Sequence, residues 1–150
     1  MLMNHHQFRW LLNVYPPYLG AGVRVRHLSE DYRDIVVEMP LTFLNRNYVG
    51  THFGGSLYSM VDPFYMLMLI KNLGPDYIVW DKAASIDFVK PGRGTVRARF
   101  HLDEETLRDI RRKVAERGKV LPTFTVEVVD ESGDVVARIE KVLYIRKKTP

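Results

Sequence analysis

The chain has 150 residues, 46% hydrophobic and 27% charged, with a formal net charge of +4. That length and balance read as one soluble, globular domain with a real core. With no cysteine and five scattered histidines, disulfides and thiolate metal sites are excluded, and no metal or cofactor is expected. Arg9, Pro16 and Pro17 interrupt anything that would resemble a signal peptide. The apolar run at 64–70 is too short to span a bilayer, so a cytoplasmic protein without membrane insertion is expected. The basic excess is thin. Arg111-Arg112-Lys113 lies in a predicted helix whose first turn is acidic, Arg146-Lys147-Lys148 closes the chain, and neither carries an aromatic stacking motif, so nucleic acid is not the expected partner.

Residues 2–14 place Phe8, Leu11, Leu12 and Tyr15 on one face and predict a helix that Pro16-Pro17 ends. Gly20-Ala21-Gly22 reads as a turn. Alternation predicts a strand at 23–26, and an apolar run predicts another at 35–39. Residues 40–49 form a loop with Asn45 and Asn47. Residues 55–73 predict a central helix, apolar nearly all round and stopped by Gly74-Pro75. Strands follow at 80–89 and 95–102. A helix at 103–117 has Asp103 as N-cap, Leu107, Ile110 and Val114 on one face, and Gly118 at its end. The last strands are 123–129 and 135–145, joined by a hairpin turn at 130–134. A helix apolar on almost every side needs a curved sheet around it, and six strands suffice: an α+β arrangement in a single domain, 1–150.

The stretch GTHFGGSLYSMVDP, residues 50–63, carries the chemistry. Gly54 and Gly55 open the apolar helix, and one carboxylate, Asp62, sits deep within it. A buried carboxylate is costly unless it is paired, neutralised or used. Two local readings stay open. Asp62 is an N-cap with Pro63 in the first helical position, or the helix runs through and Pro63 kinks it by freeing the carbonyl of Ser59. Ser56 and Ser59 share the face of Asp62; no nearby histidine activates them, and no Gly-x-Ser-x-Gly elbow surrounds them.

Asn47-x-x-Gly50-Thr51-x-x-Gly54-Gly55, followed by an apolar helix bearing Asp62, resembles the active-site segment of hotdog-fold acyl-CoA thioesterases, most of all the phenylacetate-pathway type. The strand order, Phe88-Val89-Lys90-Pro91 and the closing hairpin fit the same family. The resemblance implies a hotdog fold, an antiparallel sheet wrapped around a long central helix. It implies hydrolysis of an acyl-CoA to free acid and coenzyme A, and a homodimer or dimer of dimers whose site lies between subunits. Asp62 is then the general base or nucleophile, the N–H groups of Gly54 and Gly55 hold the oxyanion, and Asn47 positions water or substrate. Phe53, His52, Asp81 and Ser59 complete the candidate substrate-binding set. Phe53 stands where the family usually has histidine, and His52, one residue earlier, is expected to point elsewhere. Asp81 occupies a position where relatives carry an auxiliary hydroxyl, or pairs in the neighbourhood of Lys82. The alternative function is a non-catalytic acyl-CoA or fatty-acyl binding protein on the same fold.

Overall fold

The computed structural model describes residues 3–149. Helix α1 (His5–Val14) starts at a capping box: Asn4 Oδ1 accepts from Gln7 N–H at 2.9 Å, and Gln7 Oε1 accepts from Asn4 N–H at 3.1 Å. Residue 2 of the predicted helix lies outside the described residues. The proline pair does more than end α1. Pro16 takes the first position of a second helix, α2 (Pro16–Ala21), where its missing N–H costs nothing. The turn expected at 20–22 is therefore the end of α2, with Gly22 left-handed at φ +78°.

Strands β1 (Arg24–Leu28) and β2 (Asp34–Pro40) follow. The predicted central helix is two helices, α3 (Gly54–Ser59) and α4 (Phe64–Leu73). Between them Val61 and Asp62 both donate their N–H to the Tyr58 carbonyl, so the backbone tightens before Pro63, which has no N–H to continue the ladder. Neither sequence reading of Pro63 holds: Asp62 caps nothing, and Pro63 itself is the N-cap of α4. The remaining elements are β3 (Tyr77–Phe88), β4 (Thr95–His101), α5 (Glu104–Arg117), β5 (Lys119–Val120), β6 (Thr123–Val129) and β7 (Val135–Lys147). Asp103 caps α5 by accepting from Thr106 N–H at 2.7 Å, and Gly118 closes it at φ +80°. Strand β3 starts three residues earlier than expected, and β5 has no counterpart among the predicted strands.

The sheet is antiparallel in the order β1-β2-β4-β6-β7-β3, with β5 pairing β7 alongside β6. It wraps α4. Phe64, Met68 and Leu69 are fully buried against a sheet face that includes Met39, Phe100, Ile139 and Leu143. Phe64 and Phe100 pack with ring centres 4.9 Å apart, and Tyr65 stacks on Phe124 at 4.5 Å. On the outer face, Glu38 pairs Arg26 and Arg97, and Asp34 pairs Arg99 and His101. Strand β3 is the sheet's far edge, long and exposed along most of its length.

Candidate active site

Two clusters contain the candidate residues. The first is built on the loop before α3. Asn45, buried, pins that loop: its Nδ2 donates to the Ala21 and Pro40 carbonyls at 3.0 and 2.8 Å, and its Oδ1 accepts from Thr42 N–H at 2.7 Å. Asn47 closes the next turn. Its Oδ1 accepts from the N–H of Val49 and Thr51, and its Nδ2 donates to Thr51 Oγ1 and the His52 carbonyl. Gly50 makes that turn possible at φ +81°.

His52 points inward. Its Nε2 donates to the Gly94 carbonyl at 2.8 Å, which fixes the proton there and leaves buried Nδ1 without a partner among the described residues. Burial holds the imidazole below its usual pKa, so it is neutral. Phe53 is exposed and is the N-cap of α3 without a side-chain bond. As the first two helical residues, Gly54 and Gly55 have no intrahelical acceptor for their N–H groups, and no other backbone carbonyl among the described residues takes them. A methyl at Gly54 would sit 2.9 Å from the Phe88 ring, and one at Gly55 would sit 2.7 Å from the Phe53 ring. Asn47, Thr51, His52, Gly54, Leu57 and Phe88 line part of a cavity of about 400 Å³, whose remaining wall is the segment after β3.

The second cluster answers why an acid stands at position 62: the acid is paired. Lys141 of β7 is fully buried, and its Nζ donates to Asp62 Oδ1 at 2.7 Å and to Tyr58 Oη at 3.1 Å. Tyr58 Oη donates to the same Asp62 oxygen at 2.9 Å. Asp81 Oδ1 lies 3.0 Å from Nζ as an ion pair. The contact is outside hydrogen-bonding angles, which leaves that buried oxygen without a hydrogen-bond partner among the described residues. Burial pushes the Asp81 carboxyl up, and Lys141 offsets only part of the rise. Burial also opposes the charge on Lys141, but its hydrogen bonds to Asp62 and Tyr58, together with the nearby negative charge of Asp81, outweigh it and raise its pKa. The Asp62 side chain remains 48% exposed, so the lysine is sealed and the carboxylate faces outward.

The structure thus gathers Asn47, His52 and Gly54 around one cavity and Asp62 and Asp81 around Lys141. Among the described residues of one chain no hydrogen bond joins the two groups, and none of Tyr58, Asp62, Asp81 and Lys141 lines the cavity. Ser59 bonds back to the Gly55 carbonyl at 2.9 Å. The partner of Asp81 is Lys141, not the neighbourhood of Lys82: a bulge at Lys82, between the pairs Asp81–Leu143 and Ala83–Val142, keeps Asp81 on the inner face. Sequence reasoning missed Lys141 and Tyr58. Among the described residues no group of three or more His, Cys, Asp or Glu is placed to hold a metal ion.

A family model described as a domain of unknown function, DUF4442, matches residues 4–145. The chain belongs to the DUF4442 family. No curated protein matches it. Among solved structures it resembles a Pseudomonas aeruginosa protein of unknown function called a probable thioesterase, with 22% identity over 99% of each chain and a TM-score of 0.85. A thioesterase from Haemophilus influenzae is 14% identical over 98% of this DUF4442 chain and 93% of its own, with a TM-score of 0.69. The phenylacetic acid degradation protein PaaI from Thermus thermophilus is 26% identical over 87% of this chain and 98% of its own, at a TM-score of 0.59. The fold is the hotdog fold of these thioesterase-like proteins, as the sequence resemblance implies. No helix among the described residues is long and apolar enough to cross a membrane.

Proposed function

We propose that this DUF4442 protein hydrolyses an acyl-CoA thioester to the free acid and coenzyme A, acting as a homodimer. The observation that carries the reading is the state of Asp62: one oxygen takes two donors, while the other, Oδ2, has no protein donor among the described residues and belongs to a half-exposed side chain. The thioester carbonyl accepts from the N–H groups of Gly54 and Gly55 at the cavity mouth, which hold the developing oxyanion. Water adds to the carbonyl carbon and gives its proton to Asp62 Oδ2. Collapse of the tetrahedral intermediate breaks the C–S bond, the thiolate leaves, and Asp62 returns the proton to it. Asn47, fully engaged with its own loop, shapes the wall that receives the substrate and does not touch the water itself.

The dimer brings the halves together. Asp81 stands near the start of β3 and Phe88 at its end, about 23 Å apart along an extended strand. The free edge of β3 offers unpaired backbone groups to a second copy. Antiparallel pairing about a two-fold axis at Ala84 sets the Asp62–Lys141–Asp81 group of one copy beside the Gly54–Phe88 cavity of its partner.

The test is a panel of acyl-CoAs with thiol detection, comparing wild type with Asp62→Asn. Turnover lost by about 10²–10⁴-fold in the variant supports the reading. Equal turnover removes Asp62 from the mechanism. Acyl-CoA that raises the melting temperature without ever being cleaved makes the protein a binder instead.

A further inference from the structure

A fully buried lysine in contact with two carboxylates is a costly feature to maintain. Its charges lose their hydration, and a well-packed apolar side chain often does as well or better for stability. Lys141 has the strand position an apolar residue would fill. Its neighbours on the same inner face, Ala137, Ile139, Leu143 and Ile145, are all buried hydrophobics.

What Lys141 does is asymmetric between the oxygens of Asp62. Nζ and Tyr58 Oη both donate to Oδ1, at 2.7 and 2.9 Å. Two donors on one oxygen fix the plane and the rotation of the carboxylate. The Tyr58 hydroxyl is itself oriented, because it accepts from Nζ and so must aim its own hydrogen at Asp62. Asp81 braces the ammonium from the other side at 3.0 Å, and the bulge at Lys82 keeps it there. The turn that carries Asp62 is held at its backbone, Val61 and Asp62 N–H both on the Tyr58 carbonyl, but among the described residues no side chain other than Tyr58 and Lys141 donates to this carboxylate.

We propose that Lys141, with Tyr58, is the positioning residue of this site: it clamps Oδ1 of Asp62 so that Oδ2 alone is presented to water. The inference rests on the thioesterase reading and adds to it a residue that never touches the substrate. Losing the clamp lets the carboxylate rotate, and misplacement of a reacting group by about 1 Å costs on the order of 10²-fold in rate. The loss falls on kcat, because the acyl-CoA binds through the glycine amides and the cavity, which Lys141 does not line.

The experiment measures kcat and KM separately for wild type, Asp62→Asn, Tyr58→Phe and Lys141→Met, with the melting temperature of each. Lys141→Met leaves two carboxylates facing each other, so Lys141→Met/Asp81→Leu is made alongside it as the variant that keeps the fold. The expected result is kcat about 10²-fold down in both lysine variants with KM within about threefold of wild type, and a smaller fall in Tyr58→Phe. A folded lysine variant with wild-type kcat, while Asp62→Asn is inactive, overturns the inference and leaves the thioesterase reading standing. A rise in KM alone also overturns it. Wild type that cleaves no acyl-CoA, or Asp62→Asn that cleaves at the wild-type rate, defeats the thioesterase reading and takes the inference with it.

Discussion

His52 shows what a single residue is committed to. Its ring is sealed, donates to the Gly94 carbonyl and is held below its ordinary pKa of 6.5 by burial. The unfolded chain therefore takes up a proton near 6.5 that the folded chain refuses until a lower pH. The unfolded state binds more protons in that interval, so stability rises with pH across it and is lost as pH falls below 6.5. Thermal melts of wild type at about pH 7.5 and about pH 5.5 should show the acid sample melting lower, and His52→Gln should lose most of that difference. The same slope in both proteins would assign the acid sensitivity elsewhere. That the His52 ring points elsewhere than the position before the glycines was legible from its shift by one place; that it turns inward onto the Gly94 carbonyl was not. Lys141 was legible in principle too: it interrupts the alternation Ala137, Ile139, Leu143, Ile145 on a face that must be inward. A strand read only for its existence hides that signal, since lysine fits the outer face of any half-exposed strand. Its partners could not be read at all, because Asp62 and Asp81 meet it across more than fifty positions of chain, through sheet register and a bulge.

At the scale of the element, hydrophobic periodicity located the interior but not the breaks. Residues 55–73 are apolar nearly all round, and that property does not distinguish one helix from two; Pro63 decides, by removing one N–H from the ladder. Strand β5 has two residues, too few for any period to show, and is defined only by its pairing with Arg146 and Ile145. Helix α2 begins at prolines that suit a first turn as readily as they end a preceding one. The start of α3 is where element and chemistry coincide. Gly54 is not left-handed, so nothing in its backbone forbids a side chain; what stands in the way is the Phe88 ring at 2.9 Å. Phe88 is exposed and its ring can swing aside. Gly54→Ala should therefore fold with a melting temperature at or above that of wild type, alanine being the better helix former. The methyl and the displaced ring would then crowd the approach to the first amides, and kcat/KM toward an acyl-CoA should fall by about tenfold or more. Unchanged kcat/KM in a folded Gly54→Ala protein would mean that the substrate carbonyl does not use these N–H groups.

For the whole molecule, the decisive geometry is the edge of the sheet. Among the described residues β3 is paired to β7 on one side only, with Trp80 stacked on Tyr144 across that pair at 4.2 Å and Phe88 exposed at its far end. A twelve-residue strand with a free edge invites a partner, and the chemistry proposed here needs one, because the carboxylate group and the glycine cavity do not share a pocket within one copy. The required pairing is specific. Directly opposed residues of an antiparallel pair alternate between hydrogen-bonded and non-hydrogen-bonded, so a two-fold axis passes through one residue; at Ala84 it places Ala84 of one copy across from Ala84 of the partner subunit, at the Cα separations of a few ångströms that antiparallel neighbours adopt. Those separations lie within disulfide reach. The chain contains no cysteine of its own, so an introduced thiol has no competitor. Ala84→Cys protein oxidised mildly should yield a covalent dimer through position 84 of the two copies, and a Tyr77→Cys protein at the strand's start should not cross-link to itself. Light scattering on unmodified protein should give twice the monomer mass at the same concentration. If scattering gives a monomer, the edge stays unpaired and a complete site must come from one chain; if cross-linking peaks toward one end of β3, the axis lies elsewhere and Asp62 of one copy no longer meets the cavity of the other. Agreement between the cross-linking register and the loss of turnover in Asp62→Asn would tie assembly to catalysis, since both then depend on the same strand edge holding two half-sites face to face.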